Sequence, residues 1–381
     1  MRFRFSLATA LFTAGTLITG ATMAQTTATK TVAVPVGKAA AAPLLPNGQK
    51  VTEPVVRLKV RTLPPFLKFI PIQADMTGWT PISGVSKGGA SIATTKGDNY
   101  LFVRGGDDDI YAVKFDPANI GPIPASAWSA LNVKSTSEPE CRIAASGKEG
   151  ICAFLGDKGN AEYQLMAVDD GQVRYSYYGV HDMGGSNAGA APTFLETPVS
   201  GTDNKVYGLH LRFGVWDGKQ TLFVREDGYK IGLGGTGPWN ADAQWEKMSG
   251  TVSGPVGCAD DTCAFISGGV IQLVITYHDL TAPMTFGKSP ALPVAPQGKP
   301  AVVLMPAGKS AVVVRGADGH VYEAFFDRGH GTFNGGWHDE KGYIAAGSSP
   351  TCTAVNTQPV CVIQGSDGRL YAKMLATAGA I

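Results

Sequence analysis

The sequence predicts an all-β protein, a β-propeller of six four-stranded blades whose last blade is closed by a strand from the N-terminal side. Three observations carry that prediction. The 381 residues include 49 Gly and 24 Pro, with only 17% charged residues against 44% hydrophobic ones, a composition rich in turns and poor in the residues that cover long solvated helices. An apolar run, an Asp-Gly-type turn and a second apolar run recur with a period of about 50 residues, close to that of a propeller blade. A tryptophan motif of the fourth strand also stands ahead of the first complete unit, while the last unit is one strand short.

Taken in order, the chain begins with Arg2 and Arg4, a short apolar core from Leu7 to Gly20, and Thr22-Met23-Ala24 before Gln25, which fits the small-residue rule for signal cleavage. Residues 1–24 therefore read as a signal peptide, and the protein as exported, periplasmic or extracellular. The apolar core is shorter than the roughly 20 residues a membrane span requires, and no other run of that kind occurs, so no membrane span is expected. Residues 25–50 hold Thr, Ala, Pro, Val and Lys without periodicity. They read as a disordered linker, because such a stretch buries too little apolar surface to offset the entropy of ordering. Residues 51–381 read as one propeller domain, since repeated units form a single core by stacking. The formal net charge of +1 leaves no basic footprint for nucleic acid, which is not an expected partner.

Six turns align the repeat: Gly106 to Asp109, Asp157-Lys158-Gly159, Asp227-Gly228, Ser267-Gly268-Gly269, Asp318-Gly319 and Asp367-Gly368. Each joins a second strand to a third as a β-hairpin, after runs such as Tyr100 to Val103, Ile151 to Leu155, Thr221 to Val224 and Cys361 to Ile363. First strands are expected at Ala90 to Ala93, Val206 to Leu211 and Ala301 to Met305. The fourth strand carries Trp128, Trp245 or Trp337, the last two within Trp-x4-Gly. The same motif at Trp79 to Gly84 is expected to complete the final blade, which removes an open sheet edge. A seven-bladed count, with Val55 to Gly84 as a blade of its own, is the competing arithmetic.

The cysteines fall in three local pairs, Cys141 with Cys152, Cys258 with Cys263 and Cys352 with Cys361, each flanking the turn between first and second strands in units two, four and six. In an exported chain an even count so placed predicts disulfides, and cross-strand neighbours lie within bridging reach. Arg104, Arg225 and Arg315 precede the turns of units one, three and five. They read either as a sialidase-like clamp on a carboxylate or as hairpin salt bridges to the nearby turn acids; the sialidase Asp-box is absent.

The recurring Val-Arg-Gly-x-Asp-Gly-x-Val-Tyr, as at Val314 to Tyr322, together with Trp79-Thr80-Pro81-Ile82-Ser83-Gly84, resembles the tectonin-type and fucose-binding bacterial β-propeller lectins from about Thr77 onward. The resemblance implies sugar sites between blades, several of them silent here because units two and four lack the fourth-strand Trp. A sugar presents an apolar C–H face and a rim of hydroxyls, so its site needs an aromatic plate beside short polar groups, without strong charge. Trp79, Trp128, Trp245 and Trp337 are the candidate plates. The competing role is packing between blades, with the indole N–H bonded to a carbonyl. Loops between third and fourth strands add Tyr177, Tyr178 and His181 within Asp170 to Ala191, Trp239 within Gly234 to Asn240, and His330 and Phe333 within Arg328 to Trp337. These loops share one face of the ring with the cystine hairpins.

Catalysis has little support. The six His are scattered, no Gly-x-Ser-x-Gly elbow occurs, and no carboxylate pair recurs in a setting that would separate two pKa values. Asp107-Asp108-Asp109 reads as a solvated turn, with calcium its alternative; no metal site and no cofactor is assigned. The expected function is non-catalytic binding of neutral sugars or glycans. A glycosidase- or lyase-type propeller enzyme and a protein-binding scaffold are the alternatives.

Overall fold

The computed structural model describes residues 76–375, apart from 96, 145, 170, 185–189, 196–198, 204–205, 220, 232–236, 239–243, 248–250 and 276–283. The proposed signal peptide, the linker and residues 51–75 lie outside the described residues, as do Trp239 and His278. Strand β1 (Thr80–Val85) comes first. Blade 1 holds β2 (Ala90–Thr94), β3 (Asn99–Arg104), β4 (Asp109–Phe115) and β5 (Ser129–Lys134). Blade 2 holds β6 (Glu140–Ile143), β7 (Glu149–Leu155), β8 (Ala161–Asp169) and β9 (Gln172–Gly184). Blade 3 holds β10 (Thr193–Phe194), β11 (Val199–Asp203), β12 (Val206–Trp216), β13 (Leu222–Ile231), β14 (Gly237–Pro238) and β15 (Glu246–Lys247). Blade 4 holds β16 (Gly257–Ala259), β17 (Thr262–Ser267), β18 (Val270–Ile275) and β19 (Met284–Lys288). Blade 5 holds β20 (Pro296–Leu304), β21 (Lys309–Gly316), β22 (His320–Asp327) and β23 (Thr332–Tyr343). Blade 6 holds β24 (Thr351–Val355), β25 (Gln358–Gln364), β26 (Arg369–Met374) and, outermost, β1.

The described residues thus form six blades, not seven, and the N-terminal strand closes the ring as expected. Thr80 lies opposite Ala372, and Val85 opposite Arg369, in an antiparallel pair. Pro81 is tolerated because β1 is an edge strand with one unpaired side. Innermost strands touch in a closed circuit, β2 to β6 to β10 to β16 to β20 to β24 and back to β2. In blade 3 the first strand is divided, β10 and β11 both pairing with β12, and the fourth likewise, β14 and β15 both pairing with β13.

Both faces of a blade are covered by its neighbours, so second strands read as continuous apolar runs rather than alternating ones. Ala311 to Val314 and Val360 to Ile363 are fully buried. Apolar clusters fill every interface, including Phe102 and Phe154 between blades 1 and 2 and Val302 with Phe326 between blades 4 and 5. Each such large side chain contributes roughly 1.5–3 kcal/mol by leaving water.

The turns between second and third strands show why the repeat keeps Gly-x-Asp-x-x-x-Tyr. Tyr322 donates its hydroxyl to Asp318 Oδ2 at 2.8 Å, while Asp318 Oδ1 accepts the His320 N–H at 3.0 Å. Tyr111 with Asp107 and Tyr371 with Asp367 repeat the arrangement at 2.8 and 2.7 Å. Burial, reinforced by the acceptor aspartates, pushes the Tyr322 and Tyr371 hydroxyls up to about 12. The ring packs close to the residue two before the Asp, where a Cβ on Gly316 would come within 2.6 Å of Tyr322 Cε2 and 2.7 Å of Val294 Cγ2. Gly316→Ala is therefore expected to cost about 1–3 kcal/mol through overpacking. Urea denaturation measures it, and a variant as stable as the parent would mean that the ring moves aside freely.

Two expectations need correction. Asp227-Gly228 is not a turn: it lies inside β13, with Leu211 opposite Asp227 and His210 opposite Gly228. The hairpin of blade 3 turns instead at Asp217-Gly218, where Gly218 takes φ 77° and Asp217 Oδ1 accepts the N–H groups of Lys219 and Thr221 at 2.8 and 3.0 Å. Val206 to Leu211 consequently belongs to a second strand, not a first. Nor is Asp170 to Ala191 a long loop. Gly171, at φ 73°, makes a tight turn, and Gln172–Gly184 continues as the outer strand of blade 2, as its β-branched and aromatic content favours.

All three expected disulfides are present, Cys141–Cys152, Cys258–Cys263 and Cys352–Cys361, with Cα separations of 4.0, 4.0 and 4.1 Å. Each pair sits directly opposite across the first two strands of its blade, at the spacing of a non-hydrogen-bonded antiparallel pair. No helix among the described residues is long and apolar enough to cross a membrane.

Candidate functional site

The four outer-strand tryptophans divide into two kinds. Trp79 and Trp128 are 5% and 9% exposed, so neither has a face free for a sugar, and the expectation that they act as plates is corrected. Trp79 donates its indole N–H to the Glu340 carbonyl of blade 5 at 3.3 Å, with Lys373 Nζ 5.8 Å from the ring. Trp128 packs with Ile82, Leu370 and Ala372 between blades 1 and 6.

Trp245 and Trp337 are half-exposed. Trp245 Nε1 donates to the Met183 carbonyl at 2.9 Å, and Arg225 gives Nη1 to the same carbonyl at 2.8 Å while lying 6.0 Å from the indole centre. Trp337 Nε1 donates to the Pro290 carbonyl at 2.9 Å, and its ring packs against Phe333 with centroids 6.4 Å apart. One rule covers three of these indoles: each N–H meets a carbonyl on, or just past, the outer strand of the preceding blade. That bond fixes the ring without covering it. Beside Trp337, Asn334, Gly335, Gly336 and His338 are exposed, and a Cβ at either glycine would meet nothing within 4 Å.

Tyr177 and Tyr178 belong to β9 where its register against β8 shifts, and their side chains lie outside the described residues. His181 is half-buried and stacks on Tyr163, directly opposite on β8, with ring centroids 5.0 Å apart. His330 is exposed in the turn after β22, its Nδ1 2.7 Å from Asp327 Oδ2. Trp239 lies outside the described residues, and of the remaining candidates His181 stands on blade 2 and His330 on blade 5.

The three arginines do not converge on a substrate carboxylate. Arg104 pairs with Asp108 at 2.5 Å, the expected hairpin salt bridge, and also donates to the Thr136 carbonyl. Arg315 donates instead to the Ile344 carbonyl at 3.1 Å and to Gln297 Oε1. Arg225 lies in a third strand, so the matching position read from the sequence does not hold in blade 3. The Asp107 to Asp109 carboxylates diverge, Asp107 to Tyr111, Asp108 to Lys87 and Arg104, and Asp109 to Lys134 at 3.0 Å. The Lys87 and Arg104 bonds outweigh partial burial and hold the Asp108 carboxyl below its ordinary range.

A feature that no motif announced is the central channel. The inner strands of blades 1, 2, 4, 5 and 6 enclose about 340 Å³, with Glu140, Arg142 and Lys299 among the lining residues.

No protein-family model matches the chain, and no curated protein sequence matches it. Solved structures align with it at low identity. AofleA from Arthrobotrys oligospora is 12% identical, with a TM-score of 0.47 over 78% of this chain and 85% of that one. A fucose-specific lectin from Aleuria aurantia is 11% identical, with a TM-score of 0.47 over 76% of this chain and 97% of that one. A periplasmic gluconolactonase from Pseudomonas aeruginosa is 13% identical, with a TM-score of 0.37 over 76% and 84%. The ligand of the present chain has to follow from its own residues.

Proposed function

We propose that this protein is an exported, lectin-like β-propeller that binds neutral carbohydrate without catalysis, at Trp337 and secondarily at Trp245. Trp337 carries the reading. Its indole is oriented by the bond to Pro290, backed by Phe333, left half-exposed, and flanked by Asn334 and two glycines that add no covering side chain. An aromatic surface held in place beside an amide and free backbone matches the apolar face and hydroxyl rim of a sugar. Export to the periplasm or beyond the cell is supported by the signal-like N-terminus and by three disulfides, which persist in oxidising compartments.

A glycan-array screen of the mature protein, followed by calorimetry with the best glycan, tests the proposal. Trp337→Ala is expected to lose roughly 1–3 kcal/mol of binding while the melting temperature stays close to that of the parent. Unchanged affinity in both Trp245→Ala and Trp337→Ala would remove the aromatic sites. Absence of any glycan binding at millimolar concentration would shift the reading to a protein-binding scaffold.

A further inference from the structure

Among the described residues that line the channel there is no aromatic ring, so they offer no plate for a sugar. Its polar groups are of another kind. Arg142 Nη2 lies 2.6 Å from Glu140 Oε1, and Lys299 Nζ donates to Oε2 of the same carboxylate. Arg142 gives two more N–H groups to the carbonyls of Cys141 and Cys258, at 3.0 and 2.9 Å. The side chains are 5% exposed for Glu140, 19% for Arg142 and 16% for Lys299. Burial opposes ionisation of Glu140, but the two cations outweigh it and hold its carboxyl below the usual range. Two partly buried cations therefore share the Glu140 carboxylate, while Glu138, a second acid that Lys299 acts on, accepts the N–H groups of Gly89 and Ser349 and is pushed by burial towards its neutral form.

Both cations keep N–H donors beyond those bonds. Among the described residues, Arg142 commits three of the five N–H groups a guanidinium carries, and Lys299 one of the three an ammonium carries. Charged donors in a confined, partly apolar space attract an anion far more strongly than they would in bulk water. We infer that the channel binds a small oxyanion, the carboxylate or phosphate of a small molecule, with Arg142 and Lys299 as its cationic contacts. The Thr94 and Thr353 hydroxyls line the same space but give their protons to Asn99 Oδ1, at 2.8 and 3.3 Å, so the cations are the donors an anion would meet. Asp260, in the turn between β16 and β17, also lines the channel and opposes anion entry. The inference does not rest on the sugar reading.

Isothermal titration of the mature protein at low salt with citrate, inorganic phosphate and glucuronate tests it, the three probes separating a simple carboxylate, a phosphate and an acidic sugar. At least one should give saturable binding. Lys299→Gln should weaken that binding about tenfold or more, equivalent to about 1.4 kcal/mol, and Lys299→Arg should largely restore it. Asp260→Asn should tighten it several-fold, and because Asp260 sits at φ 55°, where Asn is well tolerated, this variant should fold. Trp337→Ala should leave it unchanged, which separates this site from the proposed sugar site. No saturable heat with any of the three probes at millimolar concentration overturns the inference. So does an affinity that neither Lys299→Gln nor Asp260→Asn alters; if Lys299→Gln does not fold, the Asp260→Asn result decides alone.

Discussion

Replacing Glu323 with Leu is expected to stabilise the protein, and to do so more at about pH 8 than at about pH 5. Glu323 lies in β22 with 0% exposure, and neither carboxyl oxygen has a hydrogen-bond partner among the described residues. It stands four residues after Gly319, the turn residue with positive φ. At the same distance from their own positive-φ turn residues stand Ala112, Tyr163, Leu273 and Ala372, all buried. Blade 5 thus places a carboxyl where the other blades aligned in this way place apolar groups or a tyrosine ring. Burial is the main cause that pushes this carboxyl up to about 8; Glu340 adds to the shift, while Lys373 opposes it.

The sign follows from proton binding. A folded-state pKa above the ordinary carboxylate value means that the folded protein keeps the proton over a range in which the unfolded chain has lost it. Stability is therefore full below the ordinary value and is lost as pH rises towards about 8, by about 1.4 kcal/mol for each pH unit. Summed over that window the loss is on the order of 4 kcal/mol. Glu323→Gln should remove most of this slope, and Glu323→Leu should remove it and add apolar contact beside Val313, directly opposite on β21. Urea denaturation of parent and variants at both pH values measures the effect. The same pH slope in parent and Glu323→Gln would show that the carboxyl is not the cause.

Deleting residues 76–85 is expected to abolish cooperative melting. The deletion removes β1, uncovers the edge of β26 and takes Ile82 and Trp79 out of two blade interfaces. An open sheet edge then remains as a template for aggregation. Within the same segment, Trp79→Ala alone should cost about 3–5 kcal/mol, as for truncating a large buried aromatic. Trp337→Ala should cost much less, because that ring is half-exposed. Thermal melts of the three proteins give the comparison. A deletion protein that melts like the parent would show that the ring does not depend on its N-terminal strand, and equal losses for the two tryptophan variants would erase the distinction between wedge and plate.

By itself the sequence determined what short-range chemistry can specify. Asp318-Gly319 and Asp367-Gly368 turn where their conformational preference says they should, Cys352 and Cys361 face each other because two paired strands leave them no other neighbour, and the Trp79 motif marks the strand that the last blade lacks. Blade 3 was beyond that reach. Asp217-Gly218 and Asp227-Gly228 have the same local preference, and the choice between them is made by strand pairing across β12 and β13, which no short window contains. The fate of the tryptophans was likewise decided by tertiary structure: all four belong to outer strands or their approach, but the neighbouring blade covers Trp79 and Trp128 and leaves Trp245 and Trp337 half-open. The channel lies furthest from the sequence. Glu140 and Lys299 are 159 residues apart, and they share a hydrogen bond only because the ring brings the inner strands of blades 2 and 5 to a common centre.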